Sequence, residues 1–361
     1  MRASQKPPVR PTRLARLSPG AAMLIMLALL LLIAAGLALS PTREAGGAPD
    51  GGDASLYRQI TARVAAGQNY YDAAAVEQRA SGYPLKPFTA VRLPVLAEFT
   101  AMLGPTGADL ALRLLAIAAV AGTAMRLAPL LRSPLREGTI LPSAASAGAF
   151  VQTGMSVWHE LWAGLLITLA LACRSDRRWR LSVALGLAAA LVRELAFPFL
   201  LVMAAAAWVK GGRREARAWS VAALIVLAAL AIHMRAVSTI ALASDVTSPG
   251  WLALGGWRFD LTLARQSLLI GLPAWAVAIA TPLALLGWCA WPGGYAARAS
   301  ALLILWMTCF LFMGRPDNAY WGFLFAPLLP VGLALAPAAL RDLAGAALAG
   351  RLGAIAAPTA R

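Results

Sequence analysis

Charged residues are scarce in this sequence. Of its 361 residues only 13% are Asp, Glu, Lys or Arg, whereas a soluble globular domain carries about 25%. Hydrophobic residues make up 60% of the chain, and the mean hydropathy is +0.69. This composition excludes a water-soluble enzyme.

Cysteine is also rare, and the recognisable motifs of soluble enzymes are missing. Cys173, Cys289 and Cys309 lie in or beside apolar segments without metal or redox spacing, so we expect no disulfide framework. The sequence has no Asn-x-Ser/Thr sequon, Gly-rich phosphate loop, nucleophile elbow or His-Glu-x-x-His motif. We therefore expect no bound metal and no cofactor.

Long apolar blocks dominate the chain instead. A helix of about 20 residues crosses a hydrocarbon core about 30 Å thick, and shorter blocks suffice where the bilayer thins. The blocks predict spans at 21–39, 107–127, 138–155, 159–173, 181–194, 196–209, 219–236, 268–290, 300–313 and 323–340. We predict an all-α polytopic membrane protein with about ten transmembrane helices, within a range of nine to eleven.

The first block admits two interpretations. Arginines precede it and Ser40 and Pro41 follow it, as in a signal peptide. Its 19 residues favour a retained membrane anchor. Both interpretations stay open at this point.

The positions of the basic residues predict how the chain is oriented in the membrane, because Lys and Arg concentrate in the cytoplasmic connections between spans. Twenty of the 32 basic residues fall in the two termini and in alternate connections, with only four acids beside them. The twenty are Arg2, Lys6, Arg10, Arg13, Arg16, Arg126, Arg132, Arg136, Arg174, Arg177, Arg178, Arg180, Lys210, Arg213, Arg214, Arg217, Arg298, Arg341, Arg351 and Arg361. The whole net charge of +16 thus lies on the predicted inner side, and we expect no nucleic-acid partner.

This topology divides the chain into one membrane domain, 21–340, between basic cytoplasmic tails at 1–20 and 341–361. Two long outer loops, 40–106 and 237–266, carry most of the polar residues. Apolar residues four apart predict a helix from Ser55 to Ala66 in the first loop, followed by a second near Asp72 to Ala80. The stretch 88–103 is apolar but interrupted by prolines, which favours a re-entrant or interfacial helix.

Ionisable residues beside the spans gather at the predicted outer ends. Charge near hydrocarbon is costly, so such residues usually pair or line a wet cavity. The residues concerned are Asp50, Asp53, His159, Glu160, Arg193, Glu194, Arg258, Asp260, Arg315, Asp317 and Tyr320. One outward-facing polar cavity would account for all of them.

Several stretches resemble the GT-C superfamily of integral-membrane glycosyltransferases, which use polyprenyl-phosphate sugars. The run Gly-Asp-Ala-Ser-Leu-Tyr-Arg-Gln-Ile at 52–60, with Gly-Gln-Asn-Tyr-Tyr at 67–71 and Gly-Tyr-Pro at 82–84, is similar to the first outer loop of that superfamily. The stretches 158–164 and 192–198 resemble bacterial members linked to cell-surface glycopolymers. Together with the cytoplasmic termini that the basic residues predict, the resemblance implies a bacterial inner-membrane protein with a periplasmic active face.

The resemblance also implies a catalytic carboxylate soon after the first span, and Asp53 is the position that matches, with Asp50 as the spare candidate. A sugar on a lipid phosphate already has an anionic leaving group, so one base that activates the acceptor hydroxyl suffices for inversion. The alternative is that Asp53 only caps the helix that follows it.

Three arginines are predicted to bind the lipid phosphate, because a guanidinium offers a bidentate fork and stays ionised. They are Arg193, Arg315 and Arg92. Two alternatives stay open: Arg193 pairs with Glu194 or Glu160, and Arg315 forms a local bridge to Asp317.

A third set is predicted to contact acceptor or sugar: His159, Glu160, Glu194, Tyr57 and Tyr71. The alternative for these residues is an interfacial structural role. The sequence therefore predicts transfer of a sugar from a lipid-linked donor to a glycan or lipid acceptor. A flippase or transporter for lipid-linked sugar, and a non-catalytic partner in glycopolymer formation, are the alternatives.

Overall fold

The computed structural model describes residues 11–39, 52–128, 131, 148, 152–267 and 272–355. These residues form helices joined by short connections, and among them β-structure is limited to two isolated bridges. The chain is therefore all-helical over its described parts. Asp50 and most of the predicted span 138–155 lie outside the described residues.

Twelve α-helices are named here in chain order. They are α1 Pro19–Leu39, α2 Asp53–Ala65, α3 Tyr70–Ala80, α4 Val95–Leu127, α5 His159–Cys173, α6 Trp179–Val192, α7 Phe197–Val209, α8 Arg213–Ile240, α9 Gly256–Ser267, α10 Ala274–Ala290, α11 Gly294–Phe310 and α12 Leu329–Ile355. Short 3-10 segments occur at Arg13–Arg16, Phe88–Ala90, Met155–Val157, Glu194–Ala196 and Pro316–Leu324.

In the described part of the chain, four stretches are long and apolar enough to cross a membrane, judged by length and composition: Pro19–Leu39, Phe88–Leu127, Arg213–Ile240 and Leu329–Ala349. Helices α5, α6, α10 and α11, and the stretch Glu194–Val209, are apolar but shorter. Within the described residues, every predicted span except 138–155 coincides with one of these helices. Several boundaries differ: α8 begins at Arg213 rather than at 219, α10 at Ala274 rather than at 268, α11 at Gly294 rather than at 300, and the last helix at Leu329 rather than at 323.

The helix predicted over 107–127 is part of a longer one that breaks near its start. Inside α4, Gly104 has φ 69° and ψ 168°, and Pro105 follows it. Proline has no N–H to continue the helical hydrogen bonds, and this backbone conformation is essentially restricted to glycine. The break separates the helix that begins at Val95, inside the stretch predicted to be re-entrant or interfacial, from the rest of α4.

Helices α10 and α12 pack with almost no side chain between them. A Cβ atom added to Gly287 would lie 1.9 Å from the carbonyl oxygen of Gly332. Glycines at facing positions let two helix backbones approach this closely, which is common between helices in membranes.

Contacts between helix ends define two ends of the bundle. Arg174, just after α5, is bonded to Glu215 in the first turn of α8, and Arg13 donates to the carbonyl of Gly293 just before α11. At the other end, Arg258 donates to the carbonyl of Leu39. The connections that charge assigned to the inner side therefore meet at one end, which we call the basic end.

Candidate functional site

A cavity of about 100 Å³ lies at the other end of the bundle, among α2, the start of α4 and the 3-10 segment Pro316–Leu324. Five of the predicted site residues line it: Asp53, Tyr57, Arg92, His159 and Arg315. They come from four regions of the chain that are far apart in sequence. Of the eleven ionisable residues predicted to share one outer cavity, Asp53, His159, Arg315, Asp317 and Tyr320 line this one.

Asp53 is the first residue of α2, and the capping position is Gly52. Asp53 is therefore not the N-cap of this helix, which was the alternative role that the sequence analysis left open. A carboxylate in the first helical turn is stabilised by the positive end of the helix dipole. Burial, together with the adjacent Asp53 carboxylate, raises the pKa of Tyr83, which also lines the cavity.

Arg92 is held in the cavity wall by two tyrosines. Its Nε donates to the hydroxyl of Tyr57 at 3.0 Å, and its Nη2 donates to the hydroxyl of Tyr320 at 3.1 Å. The hydroxyl of Tyr70 donates to the backbone carbonyl of Arg92 at 2.7 Å. Burial raises the pKa of Tyr57 to about 12, so this phenol stays neutral and positions the guanidinium without cancelling its charge.

A buried row of charges extends from Arg92 into the protein. The Nη1 atom of Arg92 lies 4.0 Å from Oε1 of Glu194, which is also paired with Arg193. Arg193 in turn lies 2.5 Å from Glu160, measured from Nε to Oε1. The ion pairs that the sequence analysis left open for Arg193 are thus present. Arg193 is 1% exposed and does not line the cavity, so its phosphate role stays a prediction.

His159 and Glu160 occupy the first turn of α5. The ring of His159 contacts that of Tyr57 at a centroid distance of 4.9 Å. Both residues are buried, and Nδ1 of His159 and Oε2 of Glu160 have no hydrogen-bond partner among the described residues. A buried polar atom without a partner costs about 1–3 kcal/mol. His159 also lines the cavity, which places its imidazole within reach of an occupant.

Arg315 lies at the mouth of the cavity and is paired with Asp317. Its Nη2 atom lies 2.8 Å from Oδ2 of Asp317, and its Nε lies 3.2 Å from Oδ1. The hydrogen bond to Asp317 is the main factor that raises the pKa of Arg315. The local bridge is thus present, and a phosphate at Arg315 would have to compete with Asp317 for the same guanidinium edge.

Tyr71 is a predicted sugar-binding residue that does not line the cavity. Its hydroxyl lies 3.2 Å from Nδ1 of His233 in α8, and Nε2 of the same imidazole lies 3.1 Å from the carbonyl of Val91. These bonds join α3 to α8 and to the segment before α4. Tyr71 therefore has a structural partner, and its sugar-binding role stays a prediction.

Sequence reasoning missed four buried polar residues of the lining: Gln78, Thr100, Ser248 and Asn318. Gln78 donates to the carbonyl of Pro84 at 2.8 Å. It continues the four-residue spacing of Tyr70 and Ala74, both buried on the same face of α3. That spacing was a usable signal that this face of α3 turns inward.

The described residues contain no group of three or more His, Cys, Asp or Glu side chains that could hold a metal ion. Comparison of the chain with protein-family models, with curated proteins and with solved structures finds no match. The resemblance to membrane glycosyltransferases therefore depends on the sequence stretches quoted above.

Proposed function

We propose that this chain is an integral-membrane glycosyltransferase of GT-C type. It would move a sugar from a polyprenyl-phosphate donor to a cell-surface glycan or lipid at the periplasmic face, with inversion. One observation supports this most: Asp53 and the cations Arg92 and Arg315 line the same cavity with His159. A carboxylate beside guanidinium groups is the combination that this transfer requires.

Each group has a chemical task in the proposed reaction. Asp53 accepts the proton of the acceptor hydroxyl as that oxygen attacks the anomeric carbon. The bond to the lipid phosphate breaks, and the phosphate leaves as an anion without needing a proton donor. Arg92 stabilises the charge that develops on that phosphate, and the bonds to Tyr57 and Tyr320 fix its guanidinium beforehand.

The buried row below the cavity supports the electrostatics of this proposal. Glu160 and Glu194 share Arg193, so these three side chains carry a formal net charge of −1, and the remaining carboxylate charge reaches Arg92 only at 4.0 Å, through Glu194. The Nε and Nη2 of Arg92 bond to tyrosine hydroxyls rather than to a carboxylate, so Arg92 can still attract an anionic occupant of the cavity. In this proposal Arg193 acts by holding Glu194 in place rather than by contacting phosphate.

The size of the cavity limits what it holds. At about 100 Å³ it is smaller than the pockets of about 300–1,000 Å³ that enclose whole ligands, so only the phosphate and the reacting end of the sugar fit. The helix at 95–103 has Leu96, Ala97 and Thr100 in the cavity lining. On its other side Phe99 and Met102 are exposed, which gives the lipid tail an apolar surface outside the cavity.

The test compares cell-surface glycan from cells that carry wild type, Asp53→Asn or Asp72→Asn, with protein level checked in membranes. Asp72 is the matched control, since it is also a first-turn acid of a loop helix but is exposed and lies outside the cavity lining. We expect Asp53→Asn to abolish the glycan and to accumulate lipid-linked donor, while Asp72→Asn behaves as wild type.

Other outcomes distinguish the alternatives. Normal glycan from a well-expressed Asp53→Asn variant would remove Asp53 as the base. If deletion of the chain then still abolished the glycan, a non-catalytic partner would be the better description. Lipid-linked sugar trapped on the cytoplasmic leaflet of the deletion strain would favour a flippase.

A further inference from the structure

The basic end of the bundle contains a second group of polar side chains without partners. Arg298 in the second turn of α11 is 3% exposed, and its Nη1 donates to the carbonyl of Gly294 at 2.9 Å. Its Nε and Nη2 have no partner among the described residues. A buried guanidinium with two free donors is expensive unless an anion accepts from them.

Three neighbouring side chains also have buried polar atoms with unused hydrogen-bonding capacity. The Nε of Arg126 is also buried without a hydrogen-bond partner in the described part of the chain, and the buried hydroxyls of Tyr295 and Thr123 have no partner there besides each other. The guanidinium of Arg126 lies over the ring of Tyr295, 6.0 Å from its centroid. The end of α4 and the start of α11 thus bring together Thr123, Arg126, Tyr295 and Arg298, which we call the Arg298 cluster.

Positive charge dominates around the Arg298 cluster. A Cβ atom on Gly294 would lie 2.6 Å from Nζ of Lys210 and 2.7 Å from Nη1 of Arg298, so both cations face one point at the start of α11. The acids that act on Arg298 are Glu215 and Asp176.

Both acids are already engaged elsewhere. Glu215 is bonded by two nitrogens of Arg174, and Asp176 lies 3.0 Å from the same guanidinium. The positive end of the α11 dipole adds to the local potential, and its N-cap Gly293 supplies no side-chain cap.

We propose that the Arg298 cluster binds a phosphoryl group, supplied by an anionic lipid headgroup or by free phosphate. A phosphoryl has several acceptor oxygens, which match the unused donors of Arg298 and Arg126 and the one O–H that the Tyr295–Thr123 pair leaves free. Lys210 is exposed and Arg126 partly so, so displacement of these long side chains admits the group. The site is distinct from the proposed catalytic cavity, since α11 places about 25 Å of helix between its two ends.

The test measures thermal unfolding of the full-length protein in maltoside micelles. Phosphatidic acid is titrated in one arm, diacylglycerol with the same tails in a second, and inorganic phosphate in a third. We expect phosphatidic acid to raise the unfolding midpoint of wild type and diacylglycerol to leave it unchanged. In Arg298→Gln the concentration for half-maximal effect should rise about tenfold, as expected for loss of a charge-assisted pair.

The control is Arg214→Gln, which removes an exposed charge at the same end of the bundle, and it should respond as wild type. If inorganic phosphate alone gives the Arg298-dependent shift, the ligand is free phosphate, and otherwise it is the lipid. Should Arg298→Gln fail to fold, the response of Arg126→Gln to the same ligands is compared with those of wild type and Arg214→Gln instead. Equal responses of wild type and the cluster variants to both phosphate sources would overturn the proposal.

Discussion

The Nε atom of Arg193 lies 2.5 Å from Oε1 of Glu160, and each side chain is only 1% exposed. The pair joins the end of α6 to the start of α5, directly beneath the cavity wall. Removing one partner of a buried ion pair leaves the other charge without compensation, which costs about 3–5 kcal/mol. This contact should therefore be a main determinant of stability at the cavity end of the bundle.

We expect Glu160→Gln to lower the free energy of unfolding by about 3 kcal/mol, near the low end of that range because Glu194 still pairs with Arg193. The measurement is reversible unfolding in mixed micelles. Glu98→Gln, at an exposed acid of α4, is the control and should change little. A loss for Glu160→Gln as small as that of the control would mean that Glu194 alone compensates Arg193.

Asp260 in α9 should make stability depend on pH. It is 1% exposed, neither carboxylate oxygen has a partner among the described residues, and burial raises its pKa to about 8. A raised pKa means that the folded state binds a proton that the unfolded state has lost. Stability therefore falls as pH rises from about 4 to about 8, and the full penalty applies above that range.

Asp260→Asn should remove this penalty. Its unfolding midpoint should match that of wild type at low pH and exceed it increasingly up to about pH 8, as thermal unfolding across that range would show. Asp245→Asn is the contrast, because bonds from Arg79 lower the pKa of Asp245 to about 2. Its effect should be constant above pH 5, roughly one unit beyond the unfolded pKa of Asp. A parallel pH profile for wild type and Asp260→Asn would contradict the assignment.

Close packing of α10 against α12 gives a third prediction. Gly287→Ala should destabilise the protein by at least about 2 kcal/mol, because the new methyl group would meet backbone rather than a movable side chain. Gly345→Ala on α12 is the matched control, since no atom lies within 4 Å of its added Cβ. That control should be neutral or slightly stabilising. Similar midpoints for the two variants would show that the helices can separate at little cost.

Tyr57→Phe tests how Arg92 is positioned under the proposed function. The change removes the hydroxyl that accepts from Nε of Arg92, and a hydrogen bond to a charged group contributes about 1.5–3 kcal/mol, so transfer should slow at least about tenfold. Transfer measured in isolated membranes checks this. Tyr71→Phe removes the same atom at the contact with His233 and should leave the rate unchanged. An equal fall in both variants would instead support the sequence prediction that Tyr71 binds sugar.

Much of the helical architecture follows from the apolar blocks, because a run of apolar residues near the length of a bilayer has few stable conformations other than a helix. The boundaries were less predictable. Arg298 lies inside α11 rather than before it, since a buried arginine cannot be distinguished by sequence from one in a polar connection. The last helix begins only at Leu329, because the residues before it include the 3-10 segment Pro316–Leu324.

The candidate site was also predictable only in part: the regions of the chain that form it could be predicted, but the pairing of its side chains could not. Residues at the outer helix ends reach one cavity because the topology brings those ends together, as Asp53 and Arg315 illustrate. Pairing was not predictable, because Arg193 could meet either a ligand or Glu160, and the choice depends on the packing of α5 against α6. The contact of Tyr71 with His233 was unpredictable for the same reason, since the two residues are distant in sequence.

At the break in α4, the positive φ of Gly104 means that the chirality of a substituted residue decides whether it is tolerated. No atom lies within 4 Å of a Cβ added there, so the obstacle to any other residue is backbone chirality and not crowding. A D-alanine introduced by chemical synthesis would adopt this positive φ without backbone strain, whereas L-alanine would have room for its methyl group and would still distort the first turns of α4.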